Sequence, residues 1–409
     1  MSLSLLPLSY CTNVHAGRSL AEVEAGLVEY AGHIRRRVGV PVAAGLWLAA
    51  PVIRELREGA AGGTPSAGLK RLKNTLEQQH LACYTLNAFP YGDFHSTRVK
   101  DNVYLPDWTT AERFDYTRDC AQVLSELLPP GVDGSISTLP LGFKGHSAGH
   151  AADFPDQCIA RLLALAAELH KIEEATGSTI RLGIEPEPFC LLETTEETIA
   201  FFSRLWDAAD KSGIGDVARR HLGVCYDVCH QAVEFENIAA SIGSLGAAGI
   251  RINKLHITCA LQLDNPASNQ DGRELLAQFA EERYLHQTMG RLPDGRIVRH
   301  VDLTAEFAAH PPADFLAAEQ WRIHFHVPVN LEAWSSAEDA ENAVLRTTRL
   351  ELREALAAVA KLDYAPHLEV ETYTWPVFPG SQTEQMVQGL TTELQATREL
   401  LHELSPVIG

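Results

Sequence analysis

Four short stretches of this sequence put acidic or imidazole side chains where an apolar run ends. They are IEPEP with Glu185 and Glu187, YDVCH with Asp227 and His230, KLHI with His256, and EVETYTW with Glu369 and Glu371. Asn13 and His15 in YCTNVH, and Asn87 in TLNAF, stand at equivalent places in earlier runs. Carboxylates gathered at one point repel each other, and a divalent cation removes that conflict. A mixed oxygen and nitrogen donor set suits Mn, Zn, Fe or Co better than Ca. Each residue also has a plainer reading. His256 is a ligand or a structural strand-end imidazole, Asp227 a ligand or the cap of the next helix, and Glu185, before Pro186, a ligand or a salt-bridged loop residue. Glu369 and Glu371 share a side-chain parity, so either could reach a metal while the other pairs with a neighbouring cation. His324 and His326 in WRIHFHVPV are further metal or substrate contacts, or the polar face of a strand. Cys225 and Cys229 read as packing rather than a zinc pair. What favours chemistry is the joint occurrence of these groups at equivalent positions.

The elements that must bring them together are legible as alternating runs. Strand-like stretches lie at 6–15, 42–50, 81–89, 134–143, 180–188, 221–230, 253–261, 321–329 and 367–375, and many are almost continuously apolar. Parallel strands covered by helices on their outer face read this way. Amphipathic helical stretches intervene. Four of them open with capping-box spacing: Ser19 with Glu22, Thr109 with Glu112, Thr194 with Glu197, and Ser381 with Glu384. Others cover 66–79, 155–175, 231–245, 268–283 and 337–361. The alternation predicts an α/β fold, a closed (β/α)8 TIM barrel in one domain over 1–409. An open doubly wound sheet is disfavoured because no GxGxxG turn follows the first strand. Nine strand candidates exceed the eight of a barrel, so long insertions are expected after strand 3 (90–108) and between strands 7 and 8 (about 260–366). The second should carry its own strands, with a hairpin at Asp294-Gly295 and WRIHFHVPV over the barrel mouth. In such a barrel the C-terminal strand ends converge on one rim.

The loop 90–108 supplies His95, Arg98 and Lys100, and Lys144 follows the fourth strand. They are either solvated or cations for an anionic or polyhydroxylated substrate. Trp47, Phe89, Trp108 and Trp375 wall a sugar-sized pocket or belong to the core. The chain has 409 residues, 45% of them hydrophobic, and a formal net charge of −19. That balance repels nucleic acid, and the one basic triplet, Arg35 to Arg37, closes a helix. Eight scattered cysteines read as free thiols of a reducing compartment. The N-terminus lacks the charge and apolar length of a signal peptide, and no run is long enough to span a bilayer. A soluble cytoplasmic protein without nucleic-acid or membrane partners is expected.

GIEPEP, YDVCH, KLHI and the closing strand with Glu371 together resemble the xylose-isomerase-like TIM-barrel superfamily. YCTNVHAG, FPYGDFHSTRVKDNVYLPDW, STLPLGFKG, HFHVPV and EVETYTW resemble its EboE-type metabolite traffic proteins over residues 10–375. The resemblance implies a metal held by Glu185, Asp227, His256 and Glu371, with Glu185 and Glu371 also acting as acid and base and His230 touching substrate. His15, Asn87, His95, Lys100, Lys144 and His326 are the further side chains expected to meet it. The sequence departs from the epimerase branch after His256, where ITCALQL lacks an arginine, and in its 260–366 insertion. The function expected is a metal-dependent isomerase or epimerase of a sugar, polyol or sugar phosphate, working by proton transfer through a metal-stabilised enediolate. The alternatives are a non-catalytic metabolite-binding protein on the same barrel and, against the charge, an endonuclease-IV-like nuclease.

Overall fold

The computed structural model describes residues 6–15, 17–59, 65–146, 151–334, 344–379 and 383–404. Seven strands run in chain order around a barrel: β1 (Ser9–Cys11), β2 (Val42–Trp47), β3 (Leu81–Ala82 and Thr85–Asn87, interrupted between), β4 (Gly134–Thr138), β5 (Ile180–Ile184), β6 (Leu222–Asp227) and β7 (Ile252–Ile257). The chain then builds a second sheet from β8 (Leu261–Asp264), β9 (Thr288–Arg291), β10 (Ile297–His300), β11 (Gln320–Ile323), β12 (Ala333–Trp334) and β13 (Leu345–Thr347). It returns as β14 (His367–Val370). Every barrel pairing is parallel, and β1 closes the ring by pairing with both β2 and β14. β2, β4, β6 and β7 are buried along their whole length. Apolar side chains on both faces explain the unbroken hydrophobic runs.

Register fixes the site. Asp227 on β6 pairs with His256 on β7, and His256 pairs with Glu369 on β14. Glu371 follows one step beyond β14. Inside the barrel Glu369 meets Lys254 at 2.6 Å, both side chains wholly buried. Gly45 on β2 makes the room, since a Cβ there would overlap the Glu369 carboxylate.

Most of the helices start where their caps place them. Ser19 accepts from the Glu22 N–H, and Thr194 with Glu197 forms a full capping box. The cap of Ala111–Leu127 is Thr110, one residue later than the spacing of Thr109 and Glu112 implied. The expected helix over 231–245 is divided into Val228–Val233 and Ile238–Ala247, because Asp227 caps the first and Asn237 the second. Part of the expected helix over 337–361 is the strand β13, which pairs with β8; the helix itself is Arg349–Val359. Ser381 lies outside the described residues, and its helix is Thr383–Leu404.

The second sheet is antiparallel, in the order β10-β9-β11-β8-β13-β12. Its β9–β10 hairpin turns through Gly295 at φ +84°, a left-handed conformation that glycine adopts freely. The 90–108 loop is fastened to this region: the N–H groups of Val99 and Lys100 both donate to the Arg283 carbonyl at 2.8 Å. Arg113, wholly buried, holds the loop's ends by donating to Ala88, Phe89 and Pro106 carbonyls at 2.7, 3.0 and 2.8 Å.

Candidate metal and substrate site

Three carboxylates from three strand ends face one imidazole nitrogen. His256 Nδ1 lies 3.0 Å from Glu185 Oε1, 3.1 Å from Glu371 Oε2 and 3.5 Å from Asp227 Oδ2. All four side chains are buried. Asp227 fulfils the capping reading and also turns an oxygen to the cluster. Its Oδ1 caps the following helix, accepting from the His230 N–H at 3.0 Å and the Thr258 hydroxyl at 2.7 Å. Its Oδ2 has no hydrogen-bond partner, and neither has Glu185 Oε2. Buried oxygens without donors are costly, and one imidazole cannot balance three carboxylates. A divalent cation in this cradle would satisfy both demands, so the donor set fits one.

The electrostatics follow from the same geometry. Burial raises the Glu185 carboxyl to about 7, the His256 imidazole opposing and the Glu371 and Asp227 charges assisting. Burial also pushes Glu371 upward, but His256 outweighs it and holds this carboxyl below its ordinary value. Glu371 Oε1 accepts from the amides of Asn13 at 3.0 Å and Asn87 at 2.7 Å, which favours the charged form. Glu369, the alternative ligand, is engaged elsewhere: Lys254 pairs with it, Ser9 Oγ donates to it at 2.8 Å, and its Oε1 lies 3.4 Å from His256 Nε2. It faces the far side of the imidazole and orients it.

Above this floor opens a cavity. Glu185, Glu187, His230, His324, His326 and Glu371 line its polar side, and Phe89, Phe94, Val99, Val103, Leu285 and Tyr373 its apolar side. Glu187 accepts from the Tyr104 hydroxyl at 2.7 Å. His324 and His326 follow the end of β11 rather than forming a polar strand face. The Val327 N–H bonds to the Cys259 carbonyl at 3.0 Å, which draws the segment across the mouth.

Other residues singled out in the sequence lie elsewhere. His15 bonds to the Tyr10 hydroxyl at 3.1 Å, stacks on Tyr30 and lines a separate small cavity, so it does not meet the substrate cavity. His95 packs against Trp47 and Phe94, outside the lining. Lys100 lines the cavity, but its ammonium is taken by Asp302 at 2.7 Å and the carbonyls of Tyr284 and Glu281 at 2.7 and 2.9 Å. Lys144 lies between Glu193 at 2.8 Å and Glu197 at 2.9 Å, away from the cavity. Trp47 and Trp108 are core residues, and Trp375 donates to Glu393 at 2.8 Å. Sequence reasoning missed Lys254, Tyr104, Tyr373 and Gln287. Lys254 was findable, since KLH gives it the inward parity of His256; the other three carry no local signal.

No protein-family model matches the chain, and neither does any curated protein. Among solved structures, a xylose isomerase-like TIM barrel protein from Mycobacterium smegmatis, in complex with magnesium, matches at a TM-score of 0.52 with 10% identity, covering 99% of each chain. This chain has the xylose-isomerase-like TIM-barrel fold. A D-tagatose 3-epimerase-like protein matches at a TM-score of 0.48 and 12% identity over 98% of each chain. A D-psicose 3-epimerase from Clostridium cellulolyticum H10 with D-tagatose matches at 0.47 and 13%, over 97% of this chain and 99% of that one. At these identities the likeness is one of fold.

Proposed function

We propose that the protein is a divalent-metal-dependent isomerase or epimerase of a polyhydroxylated small molecule, moving a proton at the carbon beside a carbonyl. The observation that carries this reading is the meeting of Glu185, Asp227 and Glu371 at His256 Nδ1, with Glu185 and Glu371 lining the floor of a cavity at the barrel mouth. The magnesium in the Mycobacterium smegmatis protein of the same fold supports a cation here. The chemistry that a divalent cation held by these four residues supplies is Lewis-acid polarisation of a carbonyl and its adjacent hydroxyl, which acidifies the C–H bond between them. Glu371, kept ionised by the two asparagine amides, takes that proton. Glu185, the carboxyl across His256 Nδ1 from it, would return a proton to the neighbouring carbon or the opposite face. His230 and Glu187 are placed to bind hydroxyls, and the apolar wall keeps water from the exchanging proton.

A neutral polyol suits the site better than a sugar phosphate, because the ammonium groups of Lys100 and Lys144 are already paired. The apolar wall also favours a second reading, an EboE-type metabolite carrier for a part-apolar ligand. Incubation with candidate ketoses and cyclitols in D2O separates the two. Isomerase action puts deuterium on carbon, and Glu371→Gln lowers that incorporation by about 100-fold or more while the fold is kept. Ligand stabilisation with no deuterium incorporation in any candidate supports the carrier instead. Among the described residues no helix is long and apolar enough to cross a membrane.

A further inference from the structure

We propose that His170, Glu173 and His221 form a cation site at the end of the barrel opposite the mouth, of a kind that takes Zn2+ and pins an outer helix to the start of β6. The helix Phe154–Thr176 carries His170 and Glu173 three residues apart, which puts both on one face. His221 ends the helix Gly215–His221, and β6 begins at the next residue. One ligand atom from each of the three lies within 4.8 Å of the other two. His221 Nε2 is 3.3 Å from Glu173 Oε2, and His170 Nδ1 is 3.7 Å from the same oxygen.

No hydrogen lies between these atoms. His221 Nδ1 is 2.8 Å from the Ile180 carbonyl, which can only accept, so Nδ1 carries the ring hydrogen and Nε2 of the neutral ring presents a lone pair. That ring is wholly buried, which disfavours the imidazolium form, and its Nε2 has no hydrogen-bond partner among the described residues. An imidazole held through Nδ1–H to a carbonyl is how metal-ligating histidines are oriented. Glu173 is an acceptor too. Its Oε1 accepts from the Thr179 hydroxyl at 2.6 Å and from the Arg220 guanidinium, and its Oε2 only from Arg220 Nε at 2.7 Å. A lone pair of Oε2 is therefore left for the histidines. His170 Nδ1 is likewise buried and unpartnered, while its Nε2 lies on the side of Glu174, at 3.7 Å.

Three acceptors that converge in this way repel, and a cation among them removes the conflict. Tetrahedral Zn bonds of about 2.0–2.1 Å put neighbouring ligand atoms about 3.3–3.4 Å apart, close to the two separations at Oε2. Two imidazoles and a carboxylate already neutralised by Arg220 favour Zn2+ over Mn2+ or Mg2+. The His170 side chain is 39% exposed, which leaves a path for the ion and for water as a fourth ligand. The N-terminal end of such a barrel serves stability rather than catalysis, so this ion ties helix to strand and stands outside the proposed reaction.

Chelator-stripped full-length protein titrated calorimetrically with Zn2+, and anomalous scattering from crystals grown with Zn2+, test the site. A peak is expected within coordinating distance of His170 Nδ1, Glu173 Oε2 and His221 Nε2, separate from any peak at the mouth. His170→Ala, at a part-exposed helix position, should fold, bind one equivalent fewer than the wild type and lose that peak alone. Glu371→Gln, at the mouth, should keep it. Equal numbers of equivalents in the wild type and His170→Ala, or no anomalous density beside His221, overturns the site. So do 15N shifts that show His221 protonated on both nitrogens at saturating Zn2+, because a proton then bridges it to Glu173. None of these results touches the carboxylate centre, whose own test is the Glu371→Gln loss of deuterium incorporation.

Discussion

His15 and His256 both stand at the ends of barrel strands, yet only one faces carboxylates. Burial depresses the His15 imidazole to about 3 and keeps it neutral, with the nearby His95 adding to the shift. A histidine held neutral binds fewer protons folded than unfolded, so its contribution is present above the unfolded value of about 6.5 and is lost as pH falls toward 3. At about 1.4 kcal/mol per pH unit, roughly 2 kcal/mol should disappear between about pH 6.5 and 5. His15→Gln is expected to flatten that acid limb in urea unfolding at the two pH values; an unchanged slope would place the pH dependence elsewhere. The sequence could not tell these two histidines apart, because what separates them are partners from distant elements: Tyr10 and Tyr30 for one, Glu185 and Glu371 for the other. It could place the carboxylates, because strand parity and the turn after each strand are local properties.

Between β7 and β14 the buried pair Lys254–Glu369 holds the barrel's polar interior and backs His256. Removing one partner of a buried pair typically costs about 3–5 kcal/mol, because the other is left charged and unpaired. Lys254→Met should destabilise by that order in denaturant unfolding, and Lys254→Met with Glu369→Gln by less than the sum of the two single changes. Additive losses would mean the two side chains do not act together. Gly45→Ala should be strongly destabilising too, since its methyl would occupy the Glu369 carboxylate's place. All of the barrel strands were visible as apolar runs, though their ordered parts are shorter: β1 is only Ser9–Cys11. The antiparallel sheet was visible only at its Gly295 hairpin and at β11. Its remaining strands are two to four residues long, too short for a period of two to stand out, and β13 abuts a helical pattern.

The barrel and the β8–β13 sheet meet at the mouth, where the segment after β11 contributes His324 and His326 to a cavity floored by strand-end carboxylates, and Gln287 holds His324 from behind. Binding there should stabilise the fold by linkage, about 2.7 kcal/mol with cation at a hundred times its dissociation constant. Thermal unfolding with Mn2+ should then run several degrees higher than after EDTA, and Glu185→Gln should remove most of the difference. The most direct measurement is anomalous diffraction from crystals grown with Mn2+. A peak within coordinating distance of Glu185, Asp227, His256 and Glu371 is the expected result. Ordered carboxylates around His256 with no anomalous density among them, at saturating Mn2+, would contradict it.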